Sequence, residues 1–214
     1  MPSLWVFDLD GTLIDVEARY RHIHAELIGA GGGRADPAYW AKKRDKTPEA
    51  DIARGCGLSP ADADAYALAR LPLLEDGRYL AHDSVFPGVR ALLDRVGRDR
   101  AVLVTKRRDR SALERQLERL VLATCFANVL TPAPGAEKAT LVAAIRDLAG
   151  GAGRIVSVSD SPQDLIDAKA AGFVAVAVLS GLRSRRLIEP TRPDVIVGSI
   201  TELSLEEIED VSPL

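Results

Sequence analysis

Five short apolar runs punctuate the chain: Leu4–Phe7, Ala101–Val104, Ile155–Val158, Val174–Val178 and Val195–Val197. Each is flanked by turn residues and separated from the next by a stretch with helical spacing. Uninterrupted runs rich in β-branched residues suit strands buried on both faces, and their alternation with helices predicts a parallel sheet covered on each side. Ser111–Leu120 places Leu113, Leu117 and Leu120 on one stripe and turns Glu114, Arg115 and Glu118 away from it. Ala139–Leu148 repeats the spacing with Leu141, Ile145 and Leu148. Pro162–Ala171 opens with proline in its first turn and closes at Gly172, the usual asymmetry of helix ends. The pattern predicts an α/β core: a doubly wound parallel sheet, Rossmann-like.

From Val16 to His82 the alternation stops. Helical stretches such as Glu17–Ile28 and Asp62–Leu71 occur there without a convincing strand, and Gly31-Gly32-Gly33 is too flexible for a helix interior and marks a loop. Strand and helix patterns resume at Pro87-Gly88. Residues 1–15 and 83–214 are therefore expected to form the core, and residues 16–82 an inserted all-helical cap. No internal repeat or low-complexity segment interrupts this plan.

Composition narrows the choice of partner. With 214 residues the chain is long enough to bury a sizeable core. Lys and Arg number 28 against 31 Asp and Glu, so the basic excess typical of nucleic-acid binders is missing. The local basic runs Lys42-Lys43-Arg44 and Lys106-Arg107-Arg108 read first as solvated surface. Cys56 and Cys125 lie far apart with no CxxC or Cys/His cluster, which points to reduced thiols and away from disulfides or zinc. The opening apolar run lacks a basic flank and a cleavage site, and no run approaches the ~18 apolar residues that span a bilayer. The expectation is a cytoplasmic protein with no nucleic-acid or membrane partner, monomer or homodimer.

The chemistry begins at Asp8-Leu9-Asp10-Gly11-Thr12-Leu13. Two carboxylates flank Leu9 just beyond a buried strand, on the sheet edge where open parallel sheets bind ligands, and Gly11 allows a sharp turn. Acids this close repel unless a proton or a cation intervenes, and Mg²⁺ favours such oxygen donors. Ile155–Val158 likewise runs into Ser159-Asp160-Ser161-Pro162-Gln163-Asp164, placing Asp160 at a second strand end and Asp164 on the first turn of a helix. Thr105 ends a third strand and offers a hydroxyl and a backbone N–H at the same edge. Lys138 opens a helix, where the dipole disfavours a cation unless it faces anions.

In this order and spacing, Asp8–Leu13, Thr105, Lys138 and Asp160–Asp164 resemble the four motifs of the haloacid dehalogenase superfamily, with the tail through Ala171-Gly172 to Gly181 also similar. Its phosphoglycolate phosphatase-like members, with a helical cap after the first motif, resemble the chain most. The resemblance implies a small phosphoester substrate, Mg²⁺, Asp8 as nucleophile and Asp10 as general acid and base. It also implies that Thr105, Lys138 and Gly11 hold the phosphoryl group. The metal would be bound by Asp8, the main-chain carbonyl of Asp10 and Asp160, with Asp164 as ligand or just behind. Two positions depart from the pattern: Ser159 stands where glycine is common, and Lys106 where Asn or Ser is.

Asp10 argues against dehalogenation, because a halide leaves without a proton. A phosphomutase keeps all four motifs and stays open as an alternative, as does, with less support, a non-enzymatic phosphate-binding module. Contacts to the leaving group are expected from the cap. Arg44 is the first candidate and Lys43 the second, on or beside a loop before Thr47-Pro48-Glu49.

Overall fold

The computed structural model describes residues 3–151, 154–209 and 211. By compactness the chain divides into Met1–Asp15 with Val85–Leu214, and Val16–Ser84. The division thus falls after Asp15 and Ser84, where the sequence pattern places it after Asp15 and His82.

The larger unit is built on six parallel strands: β1 Leu4–Phe7, β2 Ala101–Val104, β3 Asn128–Leu130, β4 Ile155–Ser159, β5 Val174–Val178 and β6 Val195–Val197, in the order β3-β2-β1-β4-β5-β6. Every residue of β1, β2 and β5 is buried, which is why their sequences carry no polar alternation. The two edge strands are only half-buried. β3 escaped the sequence pattern because it is three residues long and opens with Asn128. Leu4, Val6, Val102, Val104 and Ala175 of the sheet share one apolar cluster with Ile145 of helix Val142–Ala149 and Leu165 of helix Pro162–Ala170.

Register decides which side chains meet at the carboxyl edge. Phe7 lies opposite Leu103 on one side and Val158 on the other. The next residue, Asp8, continues the ladder by donating its N–H to Val158 O at 3.0 Å. Asp8, Thr105 and Ser159-Asp160 therefore leave three adjacent strands together.

The helices follow the periodicity with local corrections. Arg110–Arg119 buries Leu113 and Leu117 and is capped by Asp109, whose side chain accepts from Ala112 N at 2.9 Å. Pro162–Ala170 is capped by Ser161 and ends before Gly172, whose φ of +68° is the left-handed stop. The expected helix from Ala139 is instead a 3₁₀ turn, Lys138–Leu141, leading into Val142–Ala149. Ile145 is buried there, whereas Leu148 is exposed and not part of the stripe.

The smaller unit contains helices Glu17–Ala30, Tyr39–Arg44, Glu49–Gly55, Pro60–Leu73 and Gly77–Leu80. They close over Ile28, Tyr39, Ile52, Ala53 and Tyr66. A side chain at Gly33 would come within 2.5 Å of Leu58 Cδ1 and 2.8 Å of Cys56 O, so the loop glycine serves close packing as well as flexibility. Arg19 and Asp83 form an ion pair at 3.3 Å with side chains 1% and 0% exposed, and Arg19 also donates to Leu74 O at 2.8 Å. Both thiols are free. Among the described residues no helix is long and apolar enough to cross a membrane.

Candidate active site

At the end of β1 the backbone turns at once. Leu9 O accepts from the N–H groups of Thr12, Leu13 and Ile14, and Gly11 takes φ +84°, a left-handed conformation that glycine adopts without strain. Glycine is required here for space too, since a Cβ would stand 2.5 Å from Asp160 Oδ2. Gly181 faces the same carboxylate, where a Cβ would stand 2.2 Å from Oδ2. The expected role of Gly11 in holding phosphate needs correction. Its N–H is bonded to Ile14 O at 2.9 Å, so the residue makes room for Asp160 and its own donor is spent inside the turn.

Lys138 stands between Asp8 and Asp164. Its Nζ donates to Asp8 Oδ1 at 2.5 Å and to Asp164 Oδ2 at 2.7 Å, with all three side chains about nine-tenths buried. Burial works against a charged amine, but attraction from Asp8 and Asp164 more than offsets it and holds Lys138 above its ordinary pKa. Asp8 moves the other way from a normal carboxylate, pushed up to about 6 mainly by burial, with Lys138 pulling it down and Asp164 adding repulsion. Ser159 fills the gap behind by donating to Asp164 Oδ2 at 2.9 Å and accepting from Ser161 N at 3.0 Å.

Asp160 is tied in by the first motif. Thr12 Oγ1 accepts from Asp160 N at 3.1 Å and lies 3.4 Å from Asp160 Oδ1, while Leu182 N donates to Oδ2. Asp160 is raised to about 8, mainly by burial and then by the nearby Asp8, against the pull of the Leu182 N–H and Arg183.

Asp10 is engaged separately. Arg107 Nε and Nη2 grip Asp10 Oδ2 and Oδ1 at 2.9 and 2.8 Å, a bidentate pair with Arg107 5% and Asp10 25% exposed. This corrects the reading of Lys106-Arg107-Arg108 as solvated surface, although Lys106 does pair with Glu137 outside. Position gave a usable signal: Arg107 lies two residues past the strand-end Thr105 on the Asp8 edge. Thr105 is buried, but its backbone N–H extends the sheet to Leu130 O at 3.1 Å and is unavailable to a ligand. Only the hydroxyl of that expected pair is left.

Among the described residues no three His, Cys, Asp or Glu side chains gather into a ready-made metal cluster. The side chain of Asp10 is held by Arg107, and Asp164 Oδ2 is held by Lys138 and Ser159. A hard divalent cation still fits the donor chemistry. Asp8 and Asp160 are buried oxygen donors whose acids are both raised, the condition that a cation between them would relieve. Mg²⁺ characteristically takes one or two carboxylates and completes its shell with water and substrate oxygens.

In the helical unit, Lys43 and Arg44 lie in the last turn of Tyr39–Arg44 rather than on a loop, because the carbonyl end of a helix favours cations. Lys43 is bonded to Glu49 Oε1 at 2.6 Å and stands over the Tyr20 ring. Arg44 is half-buried.

Fold and site define a class: a parallel α/β protein whose carboxyl edge presents two lysine-bridged carboxylates, an arginine-held aspartate and a fourth, glycine-walled carboxylate. The haloacid dehalogenase-like hydrolase family profile matches residues 3–172, and the chain belongs to that family. No curated protein matches. Similar solved structures include a haloacid dehalogenase-like hydrolase from Streptococcus pneumoniae, 18% identical with TM-score 0.70 and 97% of each chain covered. A predicted phosphoglycolate phosphatase from Haemophilus somnus is 18% identical with TM-score 0.69 and 98% of each chain covered. A predicted phosphatase from Clostridium acetobutylicum is 18% identical with TM-score 0.67, over 99% of this chain and 100% of that one. At this identity the likeness is one of fold.

Proposed function

We propose that the chain is a cytoplasmic, Mg²⁺-dependent phosphatase that hydrolyses a small phosphorylated metabolite through an aspartyl-phosphate on Asp8. The observation that carries this reading is Lys138 Nζ bridging Asp8 and Asp164 at the mouth of the sheet, beside the Arg107-held Asp10. A carboxylate oxygen of Asp8 attacks phosphorus and the bond to the leaving oxygen breaks, with Asp10 giving that oxygen its proton. Asp10, now a carboxylate, takes a proton from water, the water oxygen attacks phosphorus, and Asp8 is freed as inorganic phosphate departs.

Lys138 and the Thr105 hydroxyl are assigned to the phosphoryl oxygens, where charge develops in transfer. Asp10 accepts both N–H groups of Arg107 in the ionised form that suits the water step. For the leaving-group step Arg107 must release one oxygen. Asp8 and Asp160, with the main-chain carbonyl of Asp10, would hold Mg²⁺, which when bound supplies charge neutralisation for the transferring phosphoryl. The helical unit is assigned the role of a cap that excludes water, with Arg44 as its candidate contact to substrate and Lys43 the weaker one given its bond to Glu49.

Initial rates on a panel of phosphorylated metabolites test the proposal. Turnover should vanish in excess chelator and return on adding Mg²⁺, and Asp160→Ala should raise the Mg²⁺ concentration needed for half-maximal rate by tenfold or more, roughly the loss of one charged contact. Full activity in excess chelator would overturn the metal requirement.

A further inference from the structure

Inside the helical unit one histidine is held at both nitrogens and on one face. His24, on helix Glu17–Ala30, is 2% exposed and lies flat against the Tyr39 ring, with centroids 4.0 Å apart. Its Nε2 stands 3.2 Å from the backbone nitrogen of Asp36, which can only donate, so Nε2 is the accepting nitrogen. The ring hydrogen therefore sits on Nδ1 and is given to Tyr66 Oη at 2.9 Å, and Tyr66 in turn donates to Glu49 Oε2 at 3.3 Å. This chain of donors runs one way and requires the neutral ring.

The groups that face His24 come from five parts of the unit. They are Arg21 on its own helix, Asp36 in the loop that follows, Tyr39 and Lys42 on helix Tyr39–Arg44, Glu49 and Cys56 on and just past helix Glu49–Gly55, and Tyr66 on helix Pro60–Leu73. The two acids are committed elsewhere: Glu49 Oε1 to Lys43 at 2.6 Å and Arg70 at 3.4 Å, Asp36 to Lys42 at 2.7 Å and to Ala38 N at 2.8 Å. The Tyr39 face would accept a cation. Burial outweighs the pull of Glu49 and Asp36, however, and holds His24 below its ordinary pKa. A hydrogen on Nε2 would also meet the Asp36 N–H directly, so protonation breaks the bond by which the ring holds Asp36. Segment 34–38 follows the flexible run Gly31-Gly32-Gly33 and is fastened through that bond and through Arg34 N to Cys56 O at 3.1 Å. Residues 34–37, Lys42, Gly55 and Cys56 line one hollow, so the segment lies beside the thiol, which is 8% exposed with Sγ 3.8 Å from Nε2. Asp36 also starts helix Tyr39–Arg44, accepting from Ala38 N on its carboxylate and from Tyr39 N on its carbonyl.

We infer that segment 34–38 is an acid-operated latch: protonation of His24 releases it, bares Cys56 and frees the start of helix Tyr39–Arg44. The inference concerns the helical unit alone and stands apart from the phosphatase reading. By linkage the latch is shut above about pH 6.5, where an unperturbed histidine is neutral, and opens as the pH falls below it, because the released ring takes up a proton that the buried ring resists.

The test reads Cys56 by its rate of reaction with 4,4′-dithiodipyridine in Cys125→Ser, where it is the only thiol, divided by the rate of glutathione at the same pH. The normalised rate should rise roughly 10- to 30-fold from pH 7.5 to pH 5, the span over which a freed histidine charges. In the same background His24→Gln keeps an acceptor for Asp36 N and cannot titrate, so its normalised rate should stay flat. Circular dichroism checks that both proteins remain helical. Imidazole ¹⁵N NMR of the unsubstituted protein at about pH 7.5 should show the hydrogen on Nδ1. A normalised rate in Cys125→Ser that does not change with pH overturns the latch, and a rise that persists in His24→Gln overturns the assignment to His24. Loss of helix at pH 5 in both proteins alike overturns it too, since the acid response would then bypass His24. If His24→Gln is unfolded from the start, the NMR decides: a hydrogen on Nε2 overturns the inference, and one on Nδ1 together with the acid rise in Cys56 reactivity upholds it.

Discussion

Asp8→Asn is expected to lower turnover by roughly 10⁴-fold or more while leaving the fold intact, because loss of a covalent nucleophile leaves only the binding contribution to catalysis. The substitution keeps the shape of the side chain and removes a buried charge. That charge is unfavourable in its surroundings: burial lifts the Asp8 acid to about 6, and Asp164 and Asp10 repel it. Lys138 keeps its bond to Asp164 at 2.7 Å, so the amine is not stranded. Melting temperature should therefore hold or rise while kcat collapses. Near wild-type turnover in a variant shown by mass to be free of deamidation would contradict the assignment.

Arg19→Met should have the largest effect on stability. Arg19 and Asp83 are sealed from solvent in the helical unit, and removing the cation leaves a buried carboxylate without this ion pair. Breaking such a pair costs about 3–5 kcal/mol, a large share of the stability of an ordinary domain. Leu74 O also loses the guanidinium that donates to it. Replacing both partners by apolar residues, Arg19→Met with Asp83→Leu, should recover most of the loss, since the penalty lies in the stranded charge. Urea midpoints of the two single variants and the double variant measure this directly. A single variant within about 0.5 kcal/mol of wild type would show that the pair contributes little, as an ordinary surface substitution does.

The parts of this molecule that were legible in the sequence are those where one physical requirement dominates. β1, β2 and β5 are apolar at every position because both faces are covered, and their pattern was unmistakable. β3 was not, since an edge strand of three half-buried residues carries no such pattern. The acids at Asp8, Asp10 and Asp160 were legible from their place at strand ends. What sequence reasoning missed depends on where backbone donors go and on which cations turn inward. The N–H groups of Gly11 and Thr105 are used by Ile14 O and Leu130 O, which only the turn and the extra ladder rung reveal. Arg107 sits in a run that is otherwise exposed, and its burial against Asp10 follows from the path of the chain after β2. Thr12 was visible within its motif, but its bond to Asp160 joins residues 148 apart.

The proposed reaction requires phosphate to reside on Asp8 during turnover. Rapid quench of the Mg²⁺-loaded enzyme during hydrolysis of its best substrate, followed by acid digestion and peptide mass mapping, tests it most directly. One added phosphoryl group is expected on the peptide containing Asp8, labile to hydroxylamine as an acyl phosphate is, and absent from Asp8→Asn. Phosphate on a different residue, or steady turnover with no phosphorylated peptide under conditions that preserve a control acyl phosphate, would contradict it.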